Sequence, residues 1–175
     1  YGVTLQDDEI LSLAGSQEGF AHVALTLCDP GDVVLVPNPG YPVFEAGPFL
    51  NDAKIAYYEL DKTNHYAPAL DKIPEELAKK AKMMVVSYPL NPTCTCIEKA
   101  DYEKIIAFAK KYNIAIIHDN AYSEIEYDGR TGFSFLSVPG AKEVGIEFNS
   151  LSKTYNLTGI RISFALGNKV LIQKF

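Results

Sequence analysis

An α/β fold, with helices covering both faces of a mostly parallel seven-stranded sheet in three α/β/α layers, is what this sequence predicts. Three observations carry that expectation. Near-continuous apolar runs recur along the chain, Val33-Val34-Leu35-Val36 and Met83-Met84-Val85-Val86 being the plainest, and strands buried on both faces read that way. Helical patterns separate successive runs, as crossovers between parallel strands require. Hydrophobic residues make up 47% of the 175 residues and charged residues 22%, an ordinary globular balance with apolar material for one core.

The elements follow in order. Residues 11–14 form a short apolar strand, and a helical pattern runs over 17–27. Pro30-Gly31-Asp32 turns the chain into a strand over 33–36. A helix covers 42–50, and 54–58 is a β-rich stretch. Pro74 stands at a first helical position, where its missing N–H costs nothing, and opens a helix through residue 81. Residues 83–87 are the next strand. Over 99–112 the pattern is helical again, with Ile105, Ile106, Phe108 and Ala109 on one face. Strands over 114–117, 143–148 and 160–166 complete the seven. Neither an internal repeat nor a low-complexity stretch interrupts them.

Composition excludes several classes of function. The net charge is −6, with basic residues scattered among acidic ones, so no basic cluster offers a surface to nucleic acid or anionic membrane. Cys28, Cys94 and Cys96 are odd in number and lack disulfide spacing, which suits reduced thiols in the cytoplasm. Cys94-Thr95-Cys96 lacks a second Cys or His pair to complete four ligands, so no metal site is expected. No apolar run is long enough to span a bilayer, and no signal peptide is visible. The chain begins with Tyr1 rather than Met and stops at Phe175 after a strand-like run; a piece of a longer protein is expected.

Right-handed crossovers would bring all strand C-terminal ends to one edge, where ligands of open α/β sheets bind. Five of the strands are followed there by chemistry-bearing residues. Gly15-Ser16-Gln17 opens a helix, where free N–H groups can receive an anion. Pro37-Asn38-Pro39-Gly40-Tyr41-Pro42 is a stiff loop that can offer Tyr41 to a flat ring. Asn91, restricted by Pro92, can donate to a ligand oxygen or hold its turn. Asp119 in His118-Asp119-Asn120-Ala121-Tyr122 needs a cation to face, because a buried carboxylate without one is costly. His118 alternates to the other side of its strand and reads as structural. Lys153 follows in Asn149-Ser150-Leu151-Ser152-Lys153-Thr154, with Arg161 beyond. Each signal alone has an ordinary structural reading. Together they supply what one cofactor requires: phosphate donors, a stacking ring, a hydrogen-bond donor, a carboxylate and a lysine.

These residues resemble the fold-type I pyridoxal-phosphate enzymes, specifically the class I/II aminotransferases. The family's Ser-x-Ser-Lys-x7-Arg stretch stands here as Ser150-Leu151-Ser152-Lys153 with Arg161 eight residues on. Its Asn-Pro-x-Gly turn is Asn91-Pro92-Thr93-Cys94, with cysteine for the glycine, and its Asp-x-x-Tyr pair is Asp119 and Tyr122. Asn91, Asp119 and Lys153 follow one another at intervals of 28 and 34 residues, as in the family. Gly-Ser-Gln-Glu-Gly, His-Asp-Asn-Ala-Tyr-Ser-Glu-Ile and Ser-Leu-Ser-Lys-Thr-Tyr-Asn are most similar to LL-diaminopimelate aminotransferases.

The resemblance implies that residues 1–175 are part of the large domain that binds pyridoxal 5'-phosphate, without the family's N-terminal segment and C-terminal small domain. It implies that Lys153 forms the Schiff base and moves the substrate proton, with Asp119 and Tyr122 as the other catalytic residues. Asp119 pairs with the pyridine nitrogen, Asn91 and Tyr122 with the phenolic oxygen, and Tyr41 stacks on the ring. Gly15, Ser16, Gln17, Ser150, Ser152 and Arg161 serve the phosphate. The implied reaction is transamination between an amino acid (LL-diaminopimelate, aspartate or an aromatic donor) and a 2-oxo acid, in a homodimer. This stretch alone is expected to be inactive. A carbon–sulfur lyase would use the same lysine and aspartate, and a cofactor-sensing domain of a transcriptional regulator would share the fold.

Overall fold

Apolar strands at the centre of a sheet need partners on both faces, and this chain supplies them from two sets of helices. A computed structural model describes residues 1–175. The strands are β1 (Ile10–Leu13), β2 (Val33–Asn38), β3 (Lys54–Glu59), β4 (Ala81–Ser87), β5 (Ala115–Asn120), β6 (Gly145–Ser150) and β7 (Ser163–Gly167). The helices are α1 (Ser16–Leu27), α2 (Val43–Leu50), α3 (Glu75–Ala78), α4 (Lys99–Tyr112), α5 (Ala141–Val144), α6 (Leu151–Thr154) and α7 (Lys169–Lys174). One seven-stranded sheet runs in the order β1-β7-β6-β5-β4-β2-β3.

Alternation along β4 divides the core. Met83 and Val85 face Phe20 and Val23 of α1, Phe44 of α2 and Ile172 of α7. Met84 and Val86 face Tyr102, Ile105 and Ile106 of α4, Ala141 of α5 and the 3-10 turn Phe135–Ser137. The result is the expected three-layer α/β/α arrangement. In α4 the buried positions Tyr102, Ile105, Ile106 and Ala109 repeat at helical spacing. A reciprocal capping box between Glu98 and Asp101 starts that helix, and Asn113 in the left-handed region ends it.

Five expectations are corrected. β7 is antiparallel to both β1 and β6, so its N-terminal end, not its C-terminal end, lies at the ligand-binding edge. It also starts at Ser163 rather than 160, because residues 158–160 form a 3-10 turn and Arg161 is left-handed. The helix expected over 74–81 shrinks to Glu75–Ala78, since Ala81 is taken into the sheet opposite Val33. The residues before Phe175 are the helix α7, capped by Asn168, rather than a strand-like run. Finally β5 and β6 extend to Asn120 and Ser150, past the apolar residues that announced them, so Asp119 is a strand residue. No helix is long and apolar enough to cross a membrane, and all three cysteines are free thiols.

Candidate active site

The C-terminal ends of β2, β4, β5 and β6 open onto a cavity of about 490 Å³. β1 runs in the same sense as β6 through their shared antiparallel neighbour, so it delivers the start of α1 to this edge too. Cross-strand register lines up Ser87 with Asp119 and Asp119 with Phe148, which puts the carboxylate at the middle of the sheet edge.

Asp119 is 7% exposed. Its Oδ2 accepts a long hydrogen bond, 3.5 Å, from Ser87 Oγ, and its Oδ1 has no partner in the chain. Burial drives its pKa up to about 7; Glu147 reinforces the rise and Ser87 opposes it. The cation that the sequence demands for Asp119 is therefore not supplied by any neighbouring side chain. An unpartnered buried carboxylate oxygen aimed from a strand into a cavity marks the seat of an external cation or donor.

Lys153 lines the same cavity. It stands in the single helical turn α6 rather than on a loop; Ser150 caps that turn by accepting from the Ser152 N–H at 3.2 Å. Ser150 and Ser152 line the cavity beside it. Asn91 and Tyr122 form another part of the wall. Burial raises the Tyr122 phenol above its usual range, helped by the charge of Asp119 and opposed by a hydrogen bond with Asn91. Tyr41 is tethered through its hydroxyl, which accepts from Gln17 Nε2 at 2.7 Å, and packs edge-on to Phe44 at 6.0 Å.

At the N-terminus of α1, Ser16 and Gln17 reach the cavity. The first N–H groups of a helix have no acceptor within it and attract anions. Gly15 precedes them with φ 96° and ψ 147°, backbone that essentially only glycine adopts. A Cβ at residue 15 would collide with Arg161 Nη2 and stand 2.8 Å from Cζ, so the absent side chain is what lets the guanidinium lie against the helix start. Arg161 Nη1 donates to the Thr158 carbonyl at 2.8 Å, leaving Nη2 available. Helix N–H groups, serine hydroxyls and a guanidinium gathered at one end form an anion cradle.

Ten of the eleven residues singled out from the sequence thus line one cavity, and Gly15 borders it. Phe20, Val43, Ala121 and Thr158 also contribute to the wall; as small or apolar residues they carry no signal of chemistry in a sequence. His118 is fully buried on the opposite face, as its alternation predicts, bonded to Tyr102 and Glu147. Glu147, 1% exposed in β6, is the charged residue that sequence reasoning missed. An acid between Ile146 and Phe148 invites the same demand for partners as Asp119.

Comparison with known proteins agrees with this geometry. A family model described as aminotransferase class I and II matches residues 1–175. The chain is 46% identical over 174 residues to an LL-diaminopimelate aminotransferase of Moorella thermoacetica, covering 99% of this chain and 45% of that protein. It is 48% identical over 164 residues to the enzyme of the same name from Aquifex aeolicus, covering 94% of this chain and 42% of that protein. Among solved structures, substrate-bound BacF from Bacillus subtilis superposes with a TM-score of 0.96 at 42% identity, covering 99% of this chain and 44% of that one. An aminotransferase from Staphylococcus aureus superposes with a TM-score of 0.95 at 38% identity, covering 99% and 46%. The chain therefore spans less than half the length of the relatives it matches.

Proposed function

This chain belongs to the aminotransferase class I and II family, and from that premise we propose that it is the cofactor-binding domain of a pyridoxal-phosphate-dependent aminotransferase. The observation that carries the reading is the convergence of Lys153, the carboxylate of Asp119 with its unpartnered Oδ1, and the anion cradle of α1 on one cavity. The cavity fits the cofactor at both ends: the cradle suits a phosphate dianion, and Asp119 lacks the cation that a protonated pyridine nitrogen would provide. When bound, pyridoxal 5'-phosphate supplies an aldehyde for an amine and a protonated ring that draws electron density from the substrate Cα.

The chain's own residues then have separable tasks. The Lys153 amine would be the covalent anchor for the aldehyde and, as a free amine, the base that takes the proton from the substrate Cα. Asp119 keeps the ring nitrogen protonated, because a carboxylate against a cation favours the charged form. Asn91 and Tyr122 donate to the phenolic oxygen. Tyr41, its hydroxyl fixed by Gln17, covers a ring face. Ser16, Gln17, Ser150, Ser152 and Arg161 hold the phosphate, with Gly15 giving Arg161 its room.

The substrates of this reading are an amino acid and a 2-oxo acid. LL-diaminopimelate is the amino donor to try first, since the relatives that match at 46–48% identity bear that name. The working unit is a cytoplasmic homodimer, without nucleic acid or membrane as partner. Neither the lyase nor the regulator alternative gains support from the relatives. Borohydride reduction of the cofactor-loaded protein followed by peptide mapping tests the assignment. The reduced adduct is expected on Lys153 and is expected to vanish in Lys153→Ala; recovery on any other lysine rejects it.

A further inference from the structure

We propose that Glu147 is a positioning residue for Asp119, acting through a two-point clamp on the back of β5. The inference rests on the reading of Asp119 as the partner of the cofactor's ring nitrogen.

Alternation along β5 sends Asp119 toward the cavity and both its neighbours, His118 and Asn120, to the opposite face. Those two side chains end on the same group. His118 Nδ1 lies 3.1 Å from Glu147 Oε2, and Asn120 Nδ2 donates to Glu147 Oε1 at 3.0 Å. Glu147 is the residue directly opposite His118 in the neighbouring strand. Two hydrogen bonds from positions either side of Asp119 thus converge on one carboxylate of β6, which fixes the backbone of residues 118–120 against that strand.

The clamp is itself immobilised. Glu147 Oε1 also accepts from Ser134 Oγ at 2.8 Å, and Oε2 from the Phe135 N–H at 2.7 Å. His118 Nε2 is bonded to the Tyr102 hydroxyl at 2.9 Å, tying the network to α4. Every one of these groups lies in the interior; His118 and Glu147 are 0% and 1% exposed. Burying an acid and an imidazole is expensive, and an apolar pair of similar volume often serves stability as well or better. The return here is geometric.

The contrast with the front of the strand makes the point. Asp119 has only the 3.5 Å contact with Ser87 on its own side, and its other oxygen is unpartnered. That one long bond is the only side-chain bond that aims it. Its direction into the cavity is set by the backbone, and the backbone is held by Glu147. A shift of a few tenths of an ångström at residues 118–120 would move the carboxylate relative to a cofactor whose other end is pinned at the α1 cradle.

A double-mutant cycle separates positioning from plain structural support. The dissociation constant for pyridoxal 5'-phosphate is measured by fluorescence titration on four full-length proteins: wild type, Glu147→Gln, Asp119→Ala and the double variant. Glu147→Gln keeps the volume and removes acceptor capacity, and is expected to weaken binding about ten-fold where Asp119 is present, within the coupling range of neighbouring groups. In the Asp119→Ala background the same change should cost less than about two-fold. Equal losses in both backgrounds, or no loss in either, overturn the proposal. If Glu147→Gln does not fold, Asn120→Ala replaces it in the cycle. It removes one arm of the clamp, leaves Glu147 three donors, and must show the same dependence on Asp119. Failure of wild type to bind pyridoxal 5'-phosphate would instead sink the underlying reading of the site, so the two failures are distinguishable.

Discussion

Burial, more than any neighbouring charge, sets the acidity of Asp119, and that has a measurable consequence. Its pKa in the folded chain is pushed up to about 7 from an ordinary 3.8. Between those values the folded protein holds a proton that the unfolded chain has released. The stability associated with Asp119 is therefore full below about pH 4 and lost as pH rises to about 7, the reverse of a salt-bridged carboxylate. The difference is on the order of 4 kcal/mol. Asp119→Asn cannot ionise, so it should flatten this part of the pH profile and stabilise the cofactor-free protein above pH 7, by roughly 2–4 kcal/mol. Urea midpoints of both proteins across pH 4–8 check it; parallel profiles would show that Asp119 is not the group responsible. A cation bound against Asp119 should reverse the trend, so pyridoxal 5'-phosphate is expected to protect most at the alkaline end.

The turn between β1 and α1 sets how an element meets a ligand. Gly15 holds a backbone conformation closed to side chains, and Arg161 occupies the space a side chain would fill. Gly15→Ala should cost about 1–3 kcal/mol of stability from backbone strain and displace the guanidinium from the helix start. Cofactor affinity should fall together with the thermal midpoint, and restored binding at high inorganic phosphate would not be expected. Unchanged affinity with lowered stability would reduce the glycine to a folding role. Sequence made most of this visible at the level of elements. β2 and β4 were legible because both their faces are buried and their residues are almost all apolar. The direction of β7 was not, because the twelve residues between β6 and β7 include the single turn α6 and a 3-10 turn rather than a full crossover helix, and no local pattern encodes which way such a connection returns. α3 was over-read because helix propensity at Ala78–Ala81 yielded to sheet pairing at Ala81. The site residues on the strand ends were legible as polar interruptions of apolar runs. Glu147 interrupts its run in the same way, yet two of its partners, Ser134 and Phe135, lie outside the motifs that drew attention, and the other two, His118 and Asn120, point away from the cavity.

For the whole molecule, the inventory of positive charge in the cavity limits what residues 1–175 can do. Lys153 and Arg161 are the cationic side chains lining it. In the proposed function the first is the covalent anchor and proton carrier, and the second is committed to the phosphate. An amino-acid substrate also brings an α-carboxylate, and with these roles filled no lining cation remains to grip it; without a grip the Cα proton is not aligned with the Lys153 amine, and alignment supplies much of the rate. The relatives extend to more than twice the length matched here, which is where such a grip would be found. Residues 1–175 expressed alone should therefore yield the borohydride-reduced adduct at Lys153 and yet form no detectable 2-oxo product from LL-diaminopimelate. The full-length protein should perform both. Turnover by residues 1–175 at a rate comparable with the full-length protein would mean that Arg161 or Lys153 also serves the substrate, and the division of labour between phosphate and carboxylate drawn here would have to be redrawn.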